Sequence, residues 1–173
     1  EQEKKLFIAA LFLSGKPLEL PFLKKLFDPF NLENRLMEYA EEFNRQSNGI
    51  RIRMVSGGFQ IVVDPELSSV LEQHFGEKAD VLSRGALETL SIIAYKQPAT
   101  KAEIEKVRGV DCSGSMRSLL DKNLIMANGR KNVPGRPLLY VTTKFFLEYF
   151  GLNDLSELPS FREWQELRAR DGQ

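Results

Sequence analysis

The sequence has one cysteine, one histidine and one tryptophan in 173 residues. A lone thiol excludes a disulfide framework within the chain and suits a reducing compartment, so a cytoplasmic protein is expected. Cys112 and His74 together fall short of the His and Cys complement of a structural metal centre, and neither has an evident catalytic partner. There is no G-x-x-x-x-G-K phosphate loop and no G-x-S-x-G nucleophile turn. No apolar run approaches the roughly 18 residues of a membrane span. The run Leu6 to Leu13 follows Glu1, Glu3, Lys4 and Lys5 and precedes no small-residue cleavage pattern, so it is expected to be a buried helix. Charge of one sign is lacking too: Lys plus Arg and Asp plus Glu number 24 each. Nothing in that total calls for nucleic acid or an anionic membrane. Split at Ser83, the first part carries 10 basic and 13 acidic residues and the second 14 and 11, a mild asymmetry of −3 against +3. The expectation is a non-enzymatic protein with no cofactor and no membrane association.

What is present is hydrophobic periodicity. The helix over Leu6 to Leu13 breaks at Gly15 and Pro17, and Phe22, Leu23, Leu26 and Phe27 then fall at helical spacing up to Asp28-Pro29. Leu32, Leu36, Tyr39, Ala40 and Phe43 form the apolar stripe of a third helix. After Gly49 the period changes to two. Ile50, Ile52 and Met54 are expected to face inward against Arg51, Arg53 and Val55, with Gly57-Gly58 as the turn and Phe59, Ile61 and Val63 on the return strand. Pro65 opens a last helix whose Leu67, Val70 or Leu71, and Phe75 are expected to face inward before Gly76.

From Ser83 the same order recurs. Leu87, Leu90, Ile93 and Ala94 line a helix that stops before Pro98, and Thr100 with Glu103 has the T-x-x-E spacing of a capping box on a helix closed by Gly109. Met116, Leu119 and Leu120 mark a third helix. Leu124 to Ala127 and Leu138 to Thr142 are strands around the turn-rich GRKNVPGRP, and Phe146, Tyr149 and Phe150 belong to a final helix. Helix, helix, helix, hairpin, helix is the order of a winged helix. The predicted class is mainly α with small β-hairpin wings (α+β): two tandem winged-helix domains, 1–78 and 83–159, joined near Lys78 to Leu82. A C-terminal helix or tail, 160–173, follows, with Ser160 and Glu163 at capping-box spacing and Phe161, Trp164 and Leu167 or Arg168 offering an amphipathic face.

A winged helix commonly reads DNA with its third helix. Here the first candidate, Asn31 to Gln46, carries Glu33, Glu38, Glu41 and Glu42 against Arg35 and Arg45, and phosphates repel such a helix. The second, Cys112 to Asn123, offers Arg117 and Lys122 beside Asp121. Arg130, Lys131 and Arg136 in the second wing are candidates for weak, sequence-blind phosphate contact, or form a solvated turn. Cys112 lies where a helix start favours a thiolate, yet a small residue in the cap region is its expected role. His74 is expected to be an ordinary surface or rim histidine.

LETLSIIAYKQPATKAEIEKVRGVD, Leu87 to Asp111, and VPGRPLLYVTTKFFLEYFGLNDLSELP, Val133 to Pro159, resemble the segregation and condensation protein B family. ALFLSGKPLEL near the start resembles it more weakly. Val141 stands where the family usually has glycine, and Cys112 where serine is common. The resemblance implies a subunit without catalysis of its own that forms a homodimer and binds segregation and condensation protein A, the kleisin. It also implies action with an SMC ATPase in chromosome condensation and partition, in the cytoplasm at the nucleoid. The first domain is the expected homodimer contact, because Phe7, Phe12, Phe22, Phe27 and Phe30 are a large apolar load for about 80 residues to hide. The second is the expected kleisin site. Tyr95, Gln97, Arg108, Arg136 and Tyr140 are its candidate partner-binding residues, since fold alone explains them least and aromatic and arginine side chains anchor interfaces. The alternative for Arg108 and Arg136 is internal pairing with Glu103 or Glu105. The competing function is a tandem winged-helix transcription regulator.

Because neither third helix presents the Arg, Asn and Gln pattern that reads base edges, the purified chain is expected to show no preferred DNA sequence. Titration of random and genomic duplexes at two salt concentrations checks this. A sequence preference that survives physiological salt would restore the regulator.

Overall fold

In the computed structural model, residues 1–46, 48–75 and 82–160 are described. The expected linker at 78–81, the helix end at Gly76 and the C-terminal helix beyond Ser160 lie outside them. The chain forms two compact units, Glu1–Ala79 with Gly151–Asp154, and Asp80–Phe150 with Leu155–Gln173.

The first unit begins with α1 (Gln2–Ser14), which stops where Gly15 takes a left-handed conformation, φ 62°. A two-residue strand β1 (Leu18–Glu19) leads into the single turn α2 (Leu20–Leu23), with Pro21 at its start. Then come α3 (Leu32–Asn44), β2 (Ile50–Val55), β3 (Gly58–Val63) and α4 (Pro65–Phe75). The sheet is antiparallel in the order β1-β3-β2. Phe7, Leu11, Leu23, Leu36 and Phe59 are fully buried between helices and sheet. Each such side chain contributes about 1.5–3 kcal/mol by leaving water. The Phe7 ring stands edge-on to Phe59 at 5.4 Å and to Phe27 at 6.4 Å. Arg35 on α3 reaches Glu3 on α1 at 2.7 Å, and Lys4 pairs with Glu42.

The second unit repeats the order with α5 (Arg84–Lys96), β4 (Ala99–Thr100), α6 (Lys101–Arg108), α7 (Ser113–Asp121), β5 (Ile125–Arg130), β6 (Leu138–Thr142) and α8 (Lys144–Phe150). Its sheet order, β4-β6-β5, is the counterpart of the first. Ser83 caps α5 by accepting from the Ala86 amide at 3.2 Å, and the capping box of Thr100 and Glu103 is formed. Leu90, Ile93, Ile104, Leu119, Leu124 and Ile125 make the core. Both units are winged helices.

Several positions differ from expectation. The short strands β1 and β4 carry no periodic signal, being two residues each, and only the tertiary pairing reveals them. The first wing turns at Ser56-Gly57, φ 54° and 72°, not at Gly57-Gly58; both central residues are left-handed, as a two-residue hairpin loop of the primed type requires. Gly58 is therefore a strand residue. α1 is not buried all round: Phe7 and Leu11 point into the core while Phe12 and Leu13 are 75% and 83% exposed. Val55 is buried rather than outward, whereas Ile50 and its partner Val63 are exposed at the open end of the hairpin. On α4, Leu67 and Phe75 are exposed instead of inward, with Phe75 at 81%, and of the pair Val70 or Leu71 it is Leu71 that is half-buried while Val70 is exposed. Leu87 is exposed too, because the buried arc of α5 runs through Ala86, Thr89, Leu90, Ile93 and Ala94.

Gly58 lets β1 lie against β3. A Cβ there would meet the Leu18 carbonyl oxygen at 2.5 Å and its carbon at 2.7 Å, both backbone atoms. Gly58→Ala is expected to destabilise the chain by about 1–3 kcal/mol, since the main chain must shift. Gly57→Asn, left-handed but with open space around it, is expected to be nearly neutral. Urea unfolding of both variants tests this, and an unchanged midpoint for Gly58→Ala would show that the strands lie farther apart.

Candidate partner interface

Four of the five candidate residues of the second unit are held by its own framework. The Tyr95 hydroxyl donates to the Pro159 carbonyl at 2.6 Å. Gln97, just after α5, accepts from the Thr142 amide and hydroxyl at 2.8 and 3.1 Å and donates to the Ala94 carbonyl at 3.2 Å. Its side chain thus ties the end of α5 to the wing. Tyr140 is half-buried in β6, paired with Ala99 on one side and Ala127 on the other. Arg108 is the most enclosed, its side chain 11% exposed and 3.3 Å from Glu88, a residue that Arg84 also reaches at 3.3 Å. Arg108 thus pairs internally, as the alternative to a partner contact expects, but with Glu88 on α5 and not with Glu103 or Glu105. Although burial opposes it, hydrogen bonding to Arg84 and Arg108 leaves the Glu88 carboxyl below its ordinary range.

Arg136 is different. It is exposed at the tip of the second wing in a left-handed conformation, φ 38°, beside Gly135 at φ 81°. Its amide donates to the Val133 carbonyl at 2.9 Å, and its carbonyl accepts from Arg130 at 3.0 Å. Of the three basic wing residues, Lys131 is engaged by Glu103 rather than Arg136 being so. Glu103 also accepts from the Thr100 amide and hydroxyl, each at 2.9 Å. The bond from Lys131, followed by those from Thr100, lowers the Glu103 carboxyl from its ordinary 4.5 to about 2.

The lone thiol is buried and not activated by its surroundings. Cys112 is buried at the start of α7 and lies 3.7 Å from the Glu105 carboxylate, which also accepts from its amide at 3.2 Å. Burial first, then the negative charge of Glu105, pushes the thiol up, the reverse of activation at a helix start. Cys112 is the residue at the N-cap of α7, without a side-chain cap bond, and Asp111 just before it accepts from the Ser113 amide at 3.1 Å. His74 is exposed, its Nδ1 3.0 Å from the Val70 carbonyl oxygen. Among the described residues no group of three or more His, Cys, Asp or Glu side chains is placed to hold a metal ion, and no helix is long and apolar enough to cross a membrane.

The first unit carries an apolar surface that periodicity did not resolve. Leu6, Phe12 and Leu13 are exposed on α1, and Phe22 and Leu26 beside them. A groove of about 690 Å³ runs between Leu13, Pro17, Pro21, Phe22 and Leu26, with Lys16 and Lys25 on it. The phenylalanine surplus divides: Phe7 and Phe27 fill the core, while Phe12, Phe22 and Phe30 face outward.

The outward face of α3 opposes groove reading. On α3, Glu33, Glu38, Glu41 and Glu42 are exposed, while Arg35 turns inward to Glu3 and to the carbonyls of Asp28 and Phe30. The surface is therefore more acidic than the sequence count.

A family model for the segregation and condensation complex subunit ScpB matches residues 5–161. A segregation and condensation protein B of Moorella thermoacetica is 42% identical over 155 residues, covering 88% of this chain and 80% of that protein. One from Desulforamulus reducens is 40% identical over 166 residues, covering 95% and 92%. The crystal structure of ScpB from Mycobacterium tuberculosis shares 30% identity over 87% of this chain and 95% of that one, with a TM-score of 0.41. With the match spanning both winged helices and the relatives covered over most of their length, the chain belongs to the segregation and condensation protein B family.

Proposed function

We propose that this protein is a non-catalytic subunit of a chromosome segregation and condensation complex, acting at the nucleoid with an SMC ATPase. It self-associates through its first winged helix and holds the kleisin, segregation and condensation protein A, through its second. The family match over residues 5–161 carries this reading. The exposed apolar side chains of α1 support the first contact: Leu6 and Leu13, seven residues apart, share a face turned away from the buried Phe7 and Leu11, and Phe12 is exposed as well. A grouped apolar surface of this kind marks a protein contact. For the second contact, Arg136 offers an exposed guanidinium on an ordered wing and Tyr140 a half-buried ring in the neighbouring strand, while Arg108 and Gln97 shape the surface from beneath. The acidic α3 speaks against a DNA-reading regulator, and phosphate contact at the second wing is at most weak.

Light scattering of the full chain with and without its genomic kleisin tests both contacts. Leu13→Glu is expected to shift the free protein to the monomer mass with an unchanged circular dichroism spectrum. The full chain is the right object, because Leu152 accepts from the Ser56 amide and Asn153 from the Gly57 amide within the first unit, and a fragment ending near residue 80 lacks both. Arg136→Ala or Tyr140→Ala is expected to weaken kleisin binding by about 1–2 kcal/mol without loss of stability. Arg108→Ala is expected instead to lower the melting temperature, since it strips a partner from Glu88. A dimer that ignores Leu13→Glu moves the self-contact off α1. Normal kleisin binding by both wing variants moves the second contact off the wing.

A further inference from the structure

Glu103 is a junction of three elements. Its Oε2 accepts from the amide and hydroxyl of Thr100, which is both the cap of α6 and the last residue of β4, paired with Leu139 of β6. Its Oε1 takes the ammonium of Lys131, beyond the end of β5. The Lys131 amide in turn donates to the Pro137 carbonyl at 2.9 Å, across the wing and next to Arg136. The neighbouring Arg130 donates to the Arg136 carbonyl at 3.0 Å. A continuous set of bonds thus runs from the first turn of α6, through one carboxylate and one ammonium, to the backbone that sets the direction of Arg136. The wing tip needs such support. Register is broken between Ala127 and Arg130, Gly129 is left-handed at φ 82°, and the segment from Asn132 to Arg136 lies outside the ladder. Between Arg130 and Leu138, therefore, the sheet itself does not fix the tip.

We propose that Glu103 is a positioning residue for partner binding: anchored by the α6 capping box, its carboxylate holds Lys131 and thereby fixes the wing tip in the conformation that presents Arg136. This rests on the reading that the kleisin contacts the second wing. The bridge withdraws one cation from the wing and converts it into a structural tie, so the same three basic residues divide into two roles. Lys131 and the Arg130 guanidinium hold the tip, and the Arg136 guanidinium faces the partner. The low value of Glu103, about 2, means the carboxylate is ionised and the tie intact across the physiological range. Since the folded value lies below the ordinary 4.5, the contribution is present above about 4.5 and is lost only as pH falls through about 2.

The test uses the full chain with Lys131→Met, which leaves the capping box in place, Lys131→Arg, which keeps the charge, and Arg136→Ala. Three quantities are read: the pH titration of the Glu103 carboxyl carbon, hydrogen exchange of the Lys131 and Arg136 amides, and the dissociation rate of the kleisin. In Lys131→Met the Glu103 midpoint is expected to rise toward 4.5. The two wing amides are expected to exchange about threefold faster, as fits a half-exposed pair, and the kleisin to leave faster by a similar factor. Lys131→Arg is expected to restore all three. Unchanged wing exchange in Lys131→Met overturns the inference whatever the binding shows. Faster exchange with an unchanged dissociation rate, alongside faster dissociation from Arg136→Ala, also overturns it, because the wing then binds without the tie. Normal dissociation from Arg136→Ala overturns the inference by removing the role of Arg136 on which it rests, a failure that the exchange and titration data keep distinct from failure of the bridge.

Discussion

Each unit depends on a two-residue strand lying against the central strand of its wing. In the first, Leu18 and Glu19 pair with Phe59 and Gly58; in the second, Ala99 and Thr100 pair with Tyr140 and Leu139. The pairing turns a hairpin, marginal alone in water, into a three-stranded sheet joined covalently to the first helix. It also fixes where the next helix begins. Glu19 precedes α2 and Thr100 precedes α6, so strand register sets helix position. The two units meet this need differently. The first removes a side chain at Gly58 so that the Leu18 carbonyl can approach, whereas the second keeps side chains on β6 and uses Thr100 simultaneously as strand member and helix cap.

Charges are arranged largely for internal geometry. Arg35, Lys4, Arg108 and Lys131 each meet a carboxylate on another element, and three of these pairs tie one helix to another. Pairs of half-exposed side chains contribute little to stability individually. Their effect is directional: they decide which cations remain on the surface. Turning Arg35 inward leaves α3 acidic, and engaging Lys131 leaves Arg136 as the outward cation of the wing tip. The same surface logic separates the apolar residues. In the first unit Phe7 and its edge-on neighbours Phe27 and Phe59 fill the core, whereas Phe12, Phe22 and Phe30 are exposed on α1 and around α2, as is Phe75 at the end of α4.

Much of the architecture was readable because it is written locally. The stripe from Leu32 to Phe43, the capping box at Thr100 and Glu103, the helix end at Gly109 and the hairpin around residue 57 each depend on neighbours within a few positions. The family was readable from Leu87 to Asp111 and Val133 to Pro159, where motif length makes chance agreement improbable. Facing was less readable at helix ends. Leu67, Val70 and Phe75 have helical spacing yet stay exposed, since periodicity states that residues share a face but not that anything lies opposite.

The sequence by itself determined the class of the long helices and of the wing strands, the doubling of one plan, and the acidic character of α3. Tertiary structure alone decided the short strands, the inward turn of Arg35, the choice of Glu88 for Arg108 and of Lys131 for Glu103, and the burial of Cys112. The physical reason is range. Propensity, capping and hydrophobic period act over a turn or two of chain, whereas a carboxylate selects its cation by distance across the packed fold, and there Glu103 and Lys131 are neighbours although 28 residues separate them.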